Sequence, residues 1–182
     1  MAVIEQKINE SYFEIVRDRI GAILYSEFDY QNQLTYDDSL LLEVSVERTK
    51  PIDHTELQTI NVSLAQGTFA NKHVGSVDGT YVFNIDVYTN AKSNVNRPGD
   101  ELAALKRDKI LGMARAILED PLFMTLGYEP GFIIRTMCSQ INISDPLAKD
   151  QKNTMMGRLQ MQVLLNEKTK FIAPRLIHSY YT

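Results

Sequence analysis

The stretch Thr80–Asn90, TYVFNIDVYTN, decides the class of fold. Tyr81, Phe83, Ile85 and Val87 alternate with Val82, Asn84, Asp86 and Tyr88, a two-residue period that sends one set of side chains to a dry face and the other to a mixed one. The same period appears on both sides of it. In LLLEVSVER, residues 40–48, Leu42, Val44 and Val46 alternate with Glu43, Ser45 and Glu47, and in TINVSLA, residues 59–65, Ile60, Val62 and Leu64 share a face. Further on, Leu159, Met161, Val163 and Leu165 do so in RLQMQVLLN, residues 158–166. FIIRTMCSQINIS, residues 132–144, reads as a fifth strand whose phase the pattern leaves open. Clean alternation predicts an antiparallel sheet covered on one side. The Asn84 and Asp86 face is then expected to meet solvent, with a neighbouring subunit as the alternative.

The cover comes from two helical patterns. Phe13, Val16, Ile20, Ile23 and Leu24 recur at helical spacing over residues 11–28, behind a Ser11 and Glu14 capping box. FDYQNQLTYDDS, residues 28–39, loses that period and reads as a surface connection. The second helix, residues 101–120, follows the breaker cluster NRPGD and presents Leu102, Ile110, Met113, Ala114 and Ile117 to the core. Leu105, Gly112 and Ala116 form a smaller second patch. A glycine inside a helix costs about 1 kcal/mol against alanine, so Gly112 reads either as a point of close approach or as a tolerant site. The fold class is therefore α+β: a mainly antiparallel sheet of four to five strands with two principal helices on one face, in one domain over residues 1–169, followed by a C-terminal arm over 170–182.

The connections are conspicuous. Residues 66–79 and 89–99 are polar, rich in turn formers and flank the third strand, and residues 145–157 precede the last one. Loops of that length without structure of their own are usually functional or disordered. ILEDPLFMTLGYEPGFII, residues 117–134, is a corner in which Pro121 ends the helix near Glu119, Gly127 closes a short turn in a left-handed cap, and YEPG launches the next strand. Two of its aromatics, Phe123 and Tyr128, look exposed, and the sequence leaves them open between capping the core and touching a neighbour. The arm carries Phe171, Ile172, Leu176, Ile177, Tyr180 and Tyr181, and is expected to dock on its own domain or on a neighbour.

The bulk composition narrows the function classes. A chain of 182 residues with 44% hydrophobic and 23% charged residues suits one soluble globular domain, which should bury about 70% of its unfolded surface. No apolar run approaches the roughly 20 residues that span a bilayer. MAVIEQKINE at the start has no basic, then apolar, order of a secretory signal, so the chain is expected to stay where it is made, away from membranes. The single cysteine, Cys138, reads as a small buried hydrophobe. A net charge of −4, with nineteen scattered Lys and Arg, disfavours a stripe for gripping phosphates. His54, His73 and His178 lack ligand spacing, and the Asp37 and Asp38 pair sits in a polar loop where acids are usually solvated or cap turns. The glycines form no phosphate cradle and no serine sits in a nucleophile elbow. No cofactor or metal is expected, and the reading is non-enzymatic.

The order of amphipathic helix, strands, YVFNIDVYTNA, helix, LEDPLFMTLGYEPGFI and the late strand GRLQMQVLLNE resembles tail terminator and related head-to-tail joining proteins of long-tailed bacteriophages. The likeness covers residues 10–167, and the succession of helix, DP, LG and GFI is its most telling part. It implies a structural virion protein, assembled in the host cytoplasm as a homo-oligomeric ring, typically a hexamer. Such a ring stops the tail tube, meets neck or connector proteins, and lets DNA pass through its lumen without specific binding. The long loops, with Phe69, Lys72, His73, Lys92, Asn94 and Arg97, would then face the tube or neck. A ring closed head to tail needs two unlike patches on each subunit; the Leu105, Gly112 and Ala116 side of the second helix and the arm from Phe171 to Tyr181 are the expected pair. Another neck or head-completion ring is the nearest alternative. A non-catalytic small-molecule or peptide binding module, with the paired loops forming its pocket, is the alternative of a different class, ahead of an enzyme of uncharted type.

Overall fold

The computed structural model describes residues 11–35, 41–49, 58–73, 76–144 and 154–168, with the backbone alone at 71–73, 76 and 168. Its order is α1 (Tyr12–Thr35), β1 (Leu42–Val46), β2 (Gln58–His73), β3 (Ser76–Asn90), α2 (Gly99–Leu118), a 3-10 turn at Pro121–Phe123, β4 (Ile133–Ser144) and β5 (Thr154–Lys168). The arm at 170–182, Asp37 and Asp38, His54 and His178 lie outside the described residues.

The five strands form one sheet in the order β1-β2-β3-β5-β4. All five expected strands exist. The sheet is mixed, however, because β1 pairs with β2 in parallel while the other three pairings are antiparallel. Alternation reports that one face is covered and is silent on strand direction, which the connection between the strands sets.

Both helices lie on the face carrying Ile60, Val62, Tyr81, Phe83, Ile85, Val87, Leu159, Met161, Val163 and Leu165, all buried in one core. α1 packs on β1 and β2, α2 on β3 and β5. α1 buries Val16, Ile20, Ile23, Leu24 and Phe28; full burial of each such side chain is worth about 1.5–3 kcal/mol. The Glu14 carboxylate accepts from the Ser11 amide at 2.8 Å and from its hydroxyl at 2.6 Å, so the return half of the capping box forms, and these bonds hold the Glu14 carboxyl below its usual pKa. The helix runs seven residues past Phe28, to Thr35. No Gly or Pro interrupts that stretch, and its last turn closes through Thr35 Oγ1 donating to the Gln31 carbonyl at 2.7 Å.

The buried stripe of α2 is Ala103, Arg107, Ile110, Leu111, Ala114 and Leu118. It is turned by about one residue from the expected one, leaving Leu102, Met113 and Ile117 at its half-buried margin. Gly157 explains the turn: a Cβ there would stand 2.6 Å from Leu111 Cδ1 and 3.0 Å from Arg107 Cδ. The missing side chain on β5 lets an arginine stem enter the core, which a hydrophobicity pattern cannot announce.

Residues 66–73 and 76–79 are strand where a loop was expected, residues 74 and 75 lying outside the described residues. β2 and β3 continue as a paired ribbon, with Phe69 opposite Gly79 and Gly67 opposite Tyr81. The Tyr81 and Phe69 rings meet edge to face at 5.7 Å, and a Cβ on Gly67 would approach the Tyr81 ring to 3.0 Å. The Tyr81 ring thus covers the backbone at Gly67, the glycine opposite it. From Ala65 to Ala70 every side chain of β2 is exposed, so no alternation marks the segment as a strand.

Candidate assembly site

The second patch of α2 is real as a surface. Leu105, Gly112 and Ala116, seven and four residues apart, share one exposed face, with Leu105 47% exposed. A Cβ added at Gly112 would meet nothing within 4 Å, so no element of the described chain approaches closely there.

Around Ala116 this face becomes a groove. Met113, Ala116 and Ile117 of α2, Glu27 and Gln31 of α1, and Asp120, Leu122 and Phe123 of the corner line a space of about 380 Å³. The backbone chemistry that aims these residues is local. Asp120 takes an extended conformation (φ −64°, ψ 135°), as the following proline demands, and its carboxylate accepts from the Leu122 amide at 2.8 Å. The resulting tight turn points Phe123 into the core, 3% exposed, and leaves Leu122 outside, 53% exposed. Leu126 (φ 49°) and Gly127 (φ 81°) then reverse the chain. Arg19 Nε donates to the Leu126 carbonyl at 2.9 Å and the Tyr128 hydroxyl to the Ile15 carbonyl at 3.4 Å, tying the corner to α1. Tyr128 is buried against Phe132, ring to ring at 5.2 Å. Phe123 and Tyr128 are therefore core residues.

The groove has an apolar floor and an acidic rim. Glu27 and Asp120 stand at its edge, and beside it Arg115 is paired with Glu119 at 2.9 Å. Sequence reasoning found Ala116 but assigned Met113 and Ile117 to the core, read Leu122 with Phe123 and Leu126 as available for packing, and overlooked Glu27. The signal for Leu122 was the single turn led by Pro121: with three residues per 3-10 turn, two adjacent side chains point about 120° apart.

The two expected contact loops are not neighbours. Phe69, Lys72 and His73 lie toward the far end of the ribbon and Lys92, Asn94 and Arg97 follow the other end of β3; Phe69, the nearest of the first set, is opposite Gly79, and the strand from there to Asn90 is about 36 Å long. A pocket shared by both segments is excluded by that length. Phe69 is 64% exposed, and only the backbone is described at Lys72 and His73. The 91–98 connection is a compact turn in which the Asn94 side chain accepts from the Asn96 and Arg97 amides at 3.0 and 2.8 Å, and Arg97 pairs with Glu101 at 3.3 Å. Lys92 is exposed.

The opposite face of the sheet is polar but not wholly wet. Asp86 is 4% exposed, and its carboxylate accepts from Nε and Nη2 of Arg158, its cross-strand partner, at 2.6 and 2.9 Å. That bidentate bond holds the Arg158 guanidinium protonated even more firmly than usual. Gln160 Nε2 donates to Asn84 Oδ1 at 3.0 Å in the adjoining pair. The expectation that Asp86 is solvated is thus corrected, since the ladder opposite supplies its partner.

β4 forms one edge of the sheet, with Ile134, Met137, Ile141 and Ile143 exposed. Irregularities after Ile133 and after Cys138 interrupt its ladder, a common device against edge-to-edge pairing. Cys138 is half-buried, and burial pushes its thiol up to about 11, so it behaves as an inert small hydrophobe.

Among the described residues no group of three or more His, Cys, Asp or Glu is placed to hold a metal ion, and no helix is long and apolar enough to cross a membrane. No protein-family model matches the chain, and no curated protein matches it.

Proposed function

We propose that this chain is a ring-forming structural subunit of a long-tailed bacteriophage that terminates the tail tube and joins the tail to the neck. The observation that carries the proposal is the separation of two unlike surfaces on one subunit: the apolar, acid-rimmed groove between α1 and α2, and the exposed β2 side of the ribbon around Phe69. Closed rings are built head to tail from unlike patches, and the ribbon, extending past the helical cover, offers a separate element for an axial partner such as the tube or a neck protein. The likeness carried by residues 118–133 points the same way, and a net charge of −4 suits a lumen that DNA traverses without being gripped. Another neck or head-completion ring uses the same surfaces. The groove volume, about 380 Å³, also falls within the range of small-molecule sites, which favours a non-catalytic binding module as the second reading.

Light scattering on the purified protein, followed by electron microscopy after mixing with tail tubes, separates these. The proposal expects rings, or tubes capped at fixed length. A strictly monomeric protein that leaves tube lengths unchanged would sink it.

A further inference from the structure

We infer that the groove between α1 and α2 receives residues 169–182 of a second copy of this chain, an inference that rests on the ring reading and names its subunit contact. The groove floor is Met113, Ala116, Ile117 and Phe123, with Leu122 standing exposed at its lip. Ala116 is the smallest side chain in that lining and leaves space where a larger residue would close the groove. Glu27 and Asp120 make the rim acidic.

Residues 168–182, KTKFIAPRLIHSYYT, complement it in both respects. They offer two apolar pairs, Phe171 with Ile172 and Leu176 with Ile177, and they carry Lys168, Lys170 and Arg175 with no acidic residue. An apolar segment bearing only positive charge is drawn to an apolar groove with a negative rim and repelled by a basic one. β5 delivers the chain to Lys168, beside the start of β3, and fourteen extended residues reach about 45–50 Å from there. With the arm as one patch and the groove as the other, each subunit has the unlike pair that head-to-tail closure needs.

Complementation between two full-length variants tests it. Ala116→Arg blocks the groove with bulk and positive charge while keeping an arm; Ile172→Asp with Leu176→Asp spoils the arm while keeping a groove. Each alone is expected to remain monomeric in sedimentation, with self-association weakened at least tenfold. An equimolar mixture is expected to form a complex of two chains and grow no further, because the remaining groove is blocked and the remaining arm is spoiled. If Ala116→Arg fails to fold by circular dichroism, Leu122→Arg at the exposed lip replaces it. A mixture of folded variants that stays monomeric overturns the inference, including the case where spoiling the arm lowers the unfolding midpoint because the arm fills its own groove. Wild-type rings beside a monomeric mixture leave the ring reading standing without this contact; a two-chain mixture beside open wild-type filaments leaves the contact standing without the ring.

Discussion

The corner at residues 119–132 and the ribbon at residues 66–80 draw on similar residues, glycines and aromatics among polar turn formers, and come out opposite. The corner has an irregular backbone and buried side chains: Phe123, Leu126, Tyr128 and Phe132 all belong to the core. The ribbon is a paired ladder with register shifts after Leu64 and after Asn71, and its β2 side chains from Ala65 to Ala70 are exposed, Phe69 among them. The difference lies in what is above them. α1 begins at Tyr12 and Phe13, whose rings meet Phe132 at 5.6 Å and Tyr81 at 6.0 Å; the corner is wedged against that helix, while β2 beyond Ala65 runs past it. Strand pairing and burial are separate properties, and each region has one of them.

Four substitutions press on that contrast. Phe123→Ala should lower stability by about 3–5 kcal/mol, as truncation of a fully packed aromatic does, seen as a reduced urea midpoint; a loss below about 1 kcal/mol would mean that the corner is a surface feature after all. Gly127→Ala, at φ 81°, should cost about 1–2 kcal/mol because a Cβ in the left-handed region crowds the next carbonyl, measured by the same unfolding curve. Phe69→Ala should change stability by less than about 1 kcal/mol, since the side chain is mostly in water already, yet should reduce binding to tail tubes in a pull-down if the ribbon is the axial contact. The smallest effect is a pH dependence at the ribbon base, where Tyr81 Oη donates to Glu167. Burial raises the Glu167 carboxyl above its usual value. Its contribution is therefore fully present below the unfolded carboxylate range and is lost as pH rises through the raised folded value. Glu167→Gln removes that titration, so the variant should gain stability relative to the native chain between pH 4 and pH 7; parallel curves across that range would refute the assignment.

The arm and groove sharpen the same contrast at the level of assembly. Residues of the corner do two jobs, with Phe123 turned inward and Leu122 outward across one peptide bond. A sequence pattern reads both as apolar residues in a turn. Only Pro121 hinted that they must diverge, and it did not say in which direction. The Leu105, Gly112 and Ala116 patch was legible because helical spacing fixes which residues share a face before anything packs on it. Glu27 and Gln31 were not, because their place in the groove depends on where α1 lies against α2.

The sequence by itself determined the five strands, the two helices, the covered face of the sheet and the sharp end of α2 at Pro121. These follow from periods of two and 3.6 residues and from the fixed φ of proline, all local to the chain. Only the tertiary structure decided the parallel pairing of β1 with β2, the strand character of residues 66–73 and 76–79, the part-buried ion pair of Asp86 with Arg158 and the inward fate of Phe123 and Tyr128. Each depends on a partner far away in sequence: a ladder opposite, a glycine that admits an arginine stem, a helix that does or does not reach overhead. Local propensity has no access to such partners, since the free energy that settles them is gained only when both sides meet.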